Sequence, residues 1–401
     1  MDNLVRALIV LFSPTWAGIA RLPHSLDSAG FRVATLCPRN AYLARTRFVD
    51  LCYPLPLRSR RSQAVEAIID VIRDWQPTLL IPGDDRAVDV LISMAQPRMH
   101  QLWPPVPATV RRLCQFSLGS SADYRPRRSR QGFWKVAKAL GLRVPEQAVA
   151  PNSARAEAFA RRHGYPVVLK REGTSAGSGV RICRGPEDLR DGFQTLANQY
   201  VAATVRRRIL QRLRMNAGAF DITIQSYIKG KPAMVINVAH EGRMLAALMA
   251  IKERTHPHPT GPSSVVRLVN DDEAFDMTRR VVAALGMTGY SSCDFIIEAA
   301  SGRPYMIEFN PRPTPIAHLG SLVGCDLARP LHAICTGQQP KAARSVVNDC
   351  LVALYPQEMR RNPASPYFVT AHHDIPDDDP ELRACFEEAI RSYRRDRGRS
   401  S

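Results

Sequence analysis

Apolar and amphipathic segments alternate along the first hundred residues. Apolar runs at residues 7–12, in "FRVATLC" and in "TLLIP" predict buried strands. The segments "WAGIARLPHSLDSAG", "SQAVEAIIDVIRDWQP" and "RAVDVLISMAQ" are typical of helices. Strands separated by helices predict βαβ units and a parallel sheet, which binds ligands at the carboxyl ends of its strands. Asp85, in "PGDD", follows such an end, and we expect it to cap the next helix rather than to bind substrate.

The second half of the chain has strands that follow one another more directly. "FDITIQSYIKG", "PAMVINVAHEG" and "RMLAALMAIKER" predict antiparallel strands with turns at Gly230 and Gly242. "YSSCDFIIEAASGRPYMIEFNPRP" predicts a hairpin that turns near Gly302. Residues 186–214 are typical of a basic helical segment, and the polar segment after residue 340 ends in a basic tail that we expect to be loose.

The composition, 45% hydrophobic and 23% charged residues, is ordinary for a soluble globular protein. No apolar run approaches the ~20 residues needed to cross a bilayer. We interpret the apolar N-terminus as a strand rather than a signal peptide, because Arg6 interrupts it and no small-residue cleavage site follows. We therefore expect a cytoplasmic protein without a membrane partner. The nine cysteines form no C-x-x-C pair and are expected to be reduced.

The formal net charge of +18 raises the question of nucleic-acid binding. The arginines are spread along the chain, and no zinc finger, RNP motif or basic stripe interleaved with aromatic residues is present. We expect no specific nucleic-acid partner, since a locally positive cleft for an anionic substrate needs no such motif. The His-x-His pair of His256 and His258 lacks partner ligands nearby in sequence, so a metal site there is not favoured.

The stretch "YPVVLKREGTSAGSGVRIC" is a candidate phosphate-binding hairpin. Its lysine, Lys170, precedes the glycines and a strand follows, whereas a Walker loop has its lysine after the glycines and continues into a helix. Glycines free the backbone, so successive N–H groups can form an anion-binding concavity. The alternative is a mobile hairpin with a solvated lysine. The candidate loop positions are Gly173, Thr174, Ser175, Gly177, Ser178 and Gly179.

The second candidate constellation lies in "CDFIIEAASGRPYMIEFNPRP". Glu308 and Asn310 are two residues apart, so they share one face of their strand, and the hairpin can bring Asp294 beside Glu308. Two carboxylates and an amide are ligands that Mg²⁺ uses together with substrate phosphates. Arg312 follows and can stabilise negative charge on a transferring group. An ordinary surface hairpin is less consistent with acids that interrupt an apolar strand.

Together, the lysine-and-glycine hairpin and the later "DFIIE…YMIEFNPR" hairpin resemble the ATP-grasp superfamily, in particular its carboxylate–amine (carbamoyl-phosphate-synthase-like) ligases. The resemblance covers about residues 1–340. It implies an α/β plus α+β fold, in which an N-terminal parallel-sheet domain precedes a two-lobed ATP-grasp module. The implied divisions are an N-terminal domain at 1–115, a small lobe with linker helix and glycine-rich lid at 116–228, a large lobe with the metal site at 229–340, and a C-terminal extension at 341–401.

The resemblance also implies roles for single residues. Lys170 and Arg130 are similar to the family's phosphate-binding cations, and the glycine loop is similar to its lid. Arg312 is similar to the arginine that steadies the reacting phosphoryl or acyl-phosphate group. The segment "IQSYIKG" is similar to the hinge that holds adenine, through Gln225, Tyr227 and Ile228. The magnesium ligands of the family are matched by Asp294, Glu308 and Asn310.

Two features depart from the family or stay open. The hinge of the family ends in an acid that reaches the ribose, whereas this chain has "GKPAMV", so no residue is assigned to the ribose. In "KERTHPHPTGPSSVVRL", expected to be a loop, Lys252, Arg254 and Arg267 either hold a carboxylate or are plain surface charges.

The expected function is that of an ATP- and Mg²⁺- (or Mn²⁺-) dependent ligase. It would join a small carboxylate to a small amine through an acyl phosphate, with release of ADP and phosphate. Such a reaction needs positioning and charge neutralisation rather than a side-chain nucleophile. A catalytically inactive ATP-binding regulatory or scaffold protein is the alternative, and a nucleic-acid-associated protein is a further one. A homodimer is the default expectation for the oligomeric state.

Overall fold

The computed structural model describes most of the chain, and three β-sheets form its frame. Two positions of the candidate phosphate loop, Ser175 and Ser178, lie outside the described residues, as do residues 202–214 of the basic segment. No helix in the described part is long and apolar enough to cross a membrane. The described residues are 4–57, 59–96, 105–119, 121, 123–174, 177, 179–201, 222–258, 260–341, 343–344 and 349–398.

The first sheet confirms the predicted parallel βαβ region. Its strands, in the spatial order β3–β2–β1–β4, are β1 (Arg6–Val10), β2 (Arg32–Cys37), β3 (Leu51–Pro54) and β4 (Leu79–Pro82). The accompanying helices are α1 (Leu22–Ser28), α2 (Arg61–Trp75), α3 (Asp85–Ala95) and α4 (Ala108–Leu118). Side chains of β1 alternate between two cores: Leu8 and Val10 pack with α2–α4, and Ile9 packs towards the third sheet. The short edge strand β3 was not predicted, because its side chains are mostly exposed.

The second sheet is antiparallel and carries the candidate phosphate hairpin. Its strands, in the order β5–β8–β6–β7, are β5 (Gln147–Val149), β6 (Val167–Arg171), β7 (Val180–Cys183) and β8 (Ile222–Ser226). The neighbouring helices are α5 (Arg125–Arg128), α6 (Arg130–Ala139), α7 (Ser153–His163) and α8 (Pro186–Val201). The predicted strand–loop–strand arrangement is confirmed, since Lys170 of β6 pairs with Val180 of β7. Helices α7 and α8 cover one face of the sheet, whereas Lys170 lies on the opposite face.

The third sheet has eight strands and carries the candidate metal hairpin. Six strands run in the order β13–β12–β9–β10–β11–β15, and β16 and β14 pair with β15 and β10. Helix α9 (Asp272–Ala284) covers one face, with α6, and α10 (Ala328–Cys335) lies on the other. The strands are β9 (Gly230–His240), β10 (Arg243–Thr255), β11 (Ser263–Val269), β12 (Gly289–Glu298), β13 (Pro304–Asn310), β14 (Ala343–Arg344), β15 (Cys350–Ala353) and β16 (His372–His373).

The prediction of a turn at Gly230 is wrong, whereas the prediction of a turn at Gly242 is confirmed. The strand before Gly230, β8, belongs to the second sheet, and Gly230 opens β9 in the third sheet, opposite Glu298. A Cβ atom at Gly230 would lie 2.0 Å from the carbonyl oxygen of Ile297. Glycine is therefore required by the close approach of two strands rather than by a turn.

The expectation of a loose C-terminal tail is also wrong for the described residues. Helices α11 (Gln357–Arg361), α12 (Tyr367–Thr370) and α13 (Pro380–Gly398) follow β15. Leu382, Phe386 and Ile390 recur at helical spacing along α13 and are buried against Tyr355 and Ala20. The polar composition hid this amphipathic face, which anchors the end of the chain to its beginning.

Arg127 ties the first part of the chain to the third sheet. Its guanidinium donates hydrogen bonds to the carbonyl oxygens of Leu118 and Gly119 at 2.7 and 2.8 Å, and to those of Leu285 and Gly286. These carbonyls terminate helices α4 and α9, where orphan acceptors and the helix dipoles favour a cation. Burial lowers the pKa of Arg127 to about 10. The side chain is 3% exposed, so it fixes the relative position of the two helix ends.

Candidate active site

A cleft of about 550 Å³ is lined by all three sheets or their adjoining helices. Strands β6 and β7 supply one wall, the β12–β13 hairpin supplies another, and the first turn of α3 contributes from the N-terminal region. Gly179 does not line the cleft; a Cβ atom there would lie 2.0 Å from the Thr174 hydroxyl oxygen. The predicted site residues that do line it are Arg130, Lys170, Gly173, Thr174, Gly177, Gln225, Tyr227, Ile228, Asp294, Glu308, Asn310 and Arg312.

Lys170 lies at the end of β6 and is 6% exposed. Burial lowers the pKa of Lys170 to about 8, and the nearby carboxylate of Glu308 opposes that effect. Among the described residues, no acid lies within 4 Å of its ammonium group. The lysine is therefore a buried cation whose charge is incompletely compensated, as a binding site for an anion requires. The alternative of a solvated surface lysine is wrong.

Arg130 opens helix α6 and connects the glycine loop to the metal hairpin. Its guanidinium donates to the carbonyl oxygens of Arg171 at 2.6 Å and Thr174 at 2.8 Å, and pairs with Glu308 at 3.0 Å. Burial alone would lower the pKa of Arg130, but Glu308 and Glu172 raise it. Arg130 therefore holds the start of the loop in place and also presents positive charge to the cleft.

Glu172 is a buried acid beside this arginine that sequence inspection did not single out. Its carboxylate accepts hydrogen bonds from the main-chain N–H groups of Arg130 at 3.3 Å and Gln131 at 3.2 Å, at the positive end of α6. Burial raises the pKa of Glu172, and Arg130 opposes the rise. Glu172 thus anchors the loop to the helix start. In the sequence, Glu172 could have been singled out from its position two residues after Lys170.

The three candidate metal ligands come together on the β12–β13 hairpin. Asp294 pairs directly with Glu308 across the ladder, and Ser292 pairs with Asn310, so all three ligand candidates lie within two rungs. The Asn310 amide nitrogen donates to Asp294 Oδ2 at 3.2 Å. Lys252 Nζ lies 3.2 Å from the other Asp294 oxygen.

This donor set fits a hard divalent cation. The carboxylates of Asp294 and Glu308 are partly buried neighbours, and each lies against a basic side chain. The Asn310 amide directs its nitrogen to Asp294, which leaves its carbonyl oxygen as a ligand. Oxygen donors of this kind suit Mg²⁺. No group of three or more His, Cys, Asp or Glu side chains suited to a metal occurs in the described part, and the third member of this candidate set is an amide.

Arg312 contacts the N-terminal region, which the sequence did not predict. Its guanidinium pairs with Asp85 through Nε at 2.6 Å and Nη2 at 3.2 Å. It also lies 5.5 Å from the ring centroid of Trp16. Burial alone would lower the pKa of Arg312, but Asp85 raises it above its ordinary value. The expected helix-capping role of Asp85 is wrong, since the preceding Asp84 caps α3 by accepting from the N–H of Ala87 at 2.8 Å.

The apolar wall of the cleft lies beside the candidate hinge. Val168 shares a face of β6 with Lys170 and pairs with Ile182 of β7. Gln225 is buried at the end of β8, whereas Tyr227 is 37% exposed. An apolar slot next to exposed main chain suits a flat heterocycle whose edge is read by backbone groups. Other apolar lining residues include Ile228, Met234, Ile296 and Ile307.

The three candidate carboxylate-binding cations have different surroundings. Lys252 lines the cleft, but Arg254 and Arg267 do not. Arg267 is paired with Glu253 at 2.9 Å and also with Asp349. The segment is a hairpin rather than the expected loop, because most of it belongs to β10 and β11.

The "HPHP" segment lies at the turn between β10 and β11. Its His256 shares a hydrogen bond of 2.8 Å with the hydroxyl of Tyr393 on α13. No three-residue cluster of His, Cys, Asp or Glu suited to a metal was found among the described residues.

The fold is of the class in which a parallel α/β region precedes two largely antiparallel sheets that share one cleft. Residues 133–315 match the family model of the ATP-grasp domain, and this segment contains Lys170 and the whole β12–β13 hairpin. Residues 133–315 are thus similar to an ATP-grasp domain, in agreement with the resemblance seen in the sequence.

Similar proteins extend the comparison beyond this segment. The carbamoyl phosphate synthase large chain of Thermotoga neapolitana is 22% identical over 340 residues, which cover 80% of this chain but only 28% of that protein. The biotin carboxylase domain of Hydrogenobacter thermophilus 2-oxoglutarate carboxylase, solved with MgADP, ADP and bicarbonate, has a TM-score of 0.60 at 14% identity, covering 87% of this chain and 73% of its own. An L-amino acid ligase from Bacillus licheniformis has a TM-score of 0.54 at 13% identity, covering 84% and 75%. At these identities the structural likenesses establish the fold alone.

Proposed function

We propose that this chain is an ATP- and Mg²⁺-dependent ligase that joins a small carboxylate to a small amine through an acyl phosphate. The observation that carries the proposal is the convergence of Lys170, from the second sheet, with the Asp294–Glu308–Asn310 group, from the third sheet, on one cleft. Cations on one wall and oxygen ligands on the other match a nucleotide triphosphate with its metal.

In the first step the substrate carboxylate attacks the γ-phosphorus of ATP. A bond forms between a carboxylate oxygen of the substrate and the γ-phosphorus. The bond from the γ-phosphorus to the β,γ-bridging oxygen breaks, and ADP leaves. The chain's contribution is alignment and charge neutralisation rather than covalent chemistry. Lys170 and Arg130, which line the cleft, would neutralise phosphate oxygens on the loop side. Arg312, at the end of the cleft that adjoins the N-terminal region, would stabilise the acyl phosphate.

Asp294, Glu308 and Asn310 would hold the magnesium ion. When bound, the ion would neutralise phosphate charge and fix the orientation of the phosphate chain. The basic partners that now lie against the two carboxylates, Lys252 and Arg130, would then be released towards anionic substrate groups. The apolar slot of Val168 and Ile182 would receive the adenine ring.

In the second step the amine nitrogen attacks the acyl carbon and the C–O bond to phosphate breaks. An acyl phosphate and an ammonium ion give an amide, hydrogen phosphate and one proton, so atoms and charge balance. Neither step requires a nucleophilic side chain.

The test is ADP and phosphate release by the purified protein with ATP, Mg²⁺, pooled carboxylates and pooled amines, followed by mass spectrometry of the product. We expect Glu308→Gln to lower the rate at least about a hundredfold, because it removes charge at the metal and phosphate site. The matched control is Glu298→Gln, at the turn end of the same hairpin, away from the metal group. ATP binding with no turnover in any pool would favour the regulatory alternative, and full activity of a folded Glu308→Gln variant would contradict the assigned site.

A further inference from the structure

Asp85 has no task in building helix α3. The N-cap is Asp84, whose carboxylate accepts from the N–H of Ala87 and also from those of Phe12 and Ser13, at 2.8 Å each. Asp85 is the first residue of the helix proper, and its side chain turns into the cleft. An acid in the first turn gains a modest benefit from the helix dipole. That benefit does not explain a contact across the cleft to Arg312.

The Asp85–Arg312 ion pair is asymmetric. The Arg312 side chain is 7% exposed, lies over the ring of Trp16 and donates a hydrogen bond to the carbonyl oxygen of Pro313. The Asp85 side chain, in contrast, is 53% exposed. Removing every partner from a buried charge is costly, so Arg312 favours an acceptor beside it, preferably an anion. The half-exposed Asp85, by contrast, is free to exchange that partner for a cation from solution.

The other acids of the cleft are committed elsewhere. Asp294 and Glu308 form the metal group, and Glu172 is held by the start of α6. Asp89, one turn further along α3, pairs with Arg128 at 2.7 Å rather than with Arg312. Asp85 is therefore the carboxylate that adjoins the arginine assigned to the acyl phosphate.

We propose that Asp85 binds the protonated amine substrate, after the acyl phosphate has taken its place on Arg312. This inference rests on the proposed function. Before the first step, Asp85 and Arg312 satisfy each other and the amine site is closed. Once the acyl phosphate occupies Arg312, the carboxylate of Asp85 is left unpaired beside the acyl carbon and attracts an ammonium group. The amine substrate is thus a cation at neutral pH, and it binds second.

Hydroxylamine separates the two half-reactions, because it is small, uncharged at neutral pH and traps acyl phosphates as hydroxamates without an ammonium-binding site. The test compounds are the proteinogenic amino acids. In one assay they supply the carboxylate and hydroxylamine is the nucleophile. In the other assay they supply both the carboxylate and the amine. The variant is Asp85→Asn, which keeps an acceptor for Arg312. The matched control is Asp89→Asn on the same helix face of the same cleft.

We expect Asp85→Asn to lower amide formation at least about tenfold relative to hydroxamate formation, the effect of one charge-assisted hydrogen bond. The KM for the amine should rise in the same variant, and Asp89→Asn should leave the ratio unchanged. Equal amide-to-hydroxamate ratios in Asp85→Asn and the unaltered protein would overturn the inference alone, as would a parallel loss of both products. If the unaltered protein forms no hydroxamate with any acid, the proposed function itself fails and the inference falls with it.

Discussion

Replacing Lys170 by methionine separates the role of this side chain in binding from its effect on folding. Methionine has a similar length, keeps the apolar stem in its place and removes the charge. Burial lowers the pKa of Lys170 from its ordinary 10.5 to about 8. A difference of about 2.5 corresponds to about 3 kcal/mol by which the folded protein disfavours the charged form. Because the side chain is 6% exposed, solvent screening does little to reduce this figure.

The nucleotide-free Lys170→Met protein should therefore be more stable at neutral pH, by up to about 3 kcal/mol. The sign also fixes a pH dependence. Between about pH 8 and pH 10.5 the unfolded chain holds a proton on this lysine that the folded protein has lost, so the stability of the unaltered protein rises with pH through this window. Below about pH 8 both states are protonated and this contribution to the slope vanishes. The methionine variant should lack the rise.

Urea unfolding of both proteins across this pH range measures the stability difference, and isothermal titration with ATP and Mg²⁺ measures binding. We expect the variant to lose at least about tenfold in nucleotide affinity, since a charge-assisted contact to phosphate is removed. Lys135→Met, at an exposed position of α6, is the matched control and should change neither quantity. A variant that is less stable at neutral pH, or one that binds ATP as tightly as the unaltered protein, would refute the reasoning.

Two further predictions concern the frame of the site. Arg127→Met should lower the free energy of unfolding by about 3 kcal/mol or more, because carbonyl oxygens at two helix ends lose their hydrogen-bond donor. Arg127→Lys should restore little of this stability, since an ammonium group lacks the planar fork of a guanidinium. Chemical denaturation measures both variants, and an unchanged midpoint would contradict the role of Arg127 in joining the two helix ends. Gly230→Ala should lower the free energy of unfolding by about 1–3 kcal/mol, because the new Cβ atom would clash with Ile297. Gly185→Ala is the control, since a Cβ atom there meets open space and should leave the stability unchanged. Equal midpoints of the two variants in thermal unfolding would contradict the clash.

Elements with strong local patterns were predictable from the sequence. The β12–β13 hairpin followed from its alternation, and the pairing of Asp294 with Glu308 followed from the period of two along each strand. The hairpin around Lys170 was predicted from the strand-like sequence segments on both sides of the glycines. In each case the information lies within about thirty residues, so the spacing along the chain determines which side chains meet.

Contacts between distant elements were not predictable in the same way. The assignment of β8 and β9 to different sheets depends on the space that Gly230 leaves for Ile297, and no local pattern encodes it. The pairing of Asp85 with Arg312 joins residues separated by 227 positions. For Asp85 the capping prediction was reasonable because either acid of "PGDD" satisfies the helix start, and only the tertiary contact shows which one does.

The ion pairs of the cleft indicate what substrate binding must cost. Arg130 pairs with Glu308, Lys252 with Asp294, and Arg312 with Asp85, so three cations that face the cleft are each neutralised by an acid from another strand or helix. A nucleotide with its metal does not fill a waiting positive cavity under the proposed function. It exchanges these internal pairs for new ones, because the metal takes Asp294 and Glu308, the amine takes Asp85, and the phosphates and the acyl group take the cations. The net affinity is then the difference between two sets of ion pairs and falls well below their sum. Such an exchange links the three groups, so that the arginine beside the N-terminal region is released for the acyl group only when anions have arrived.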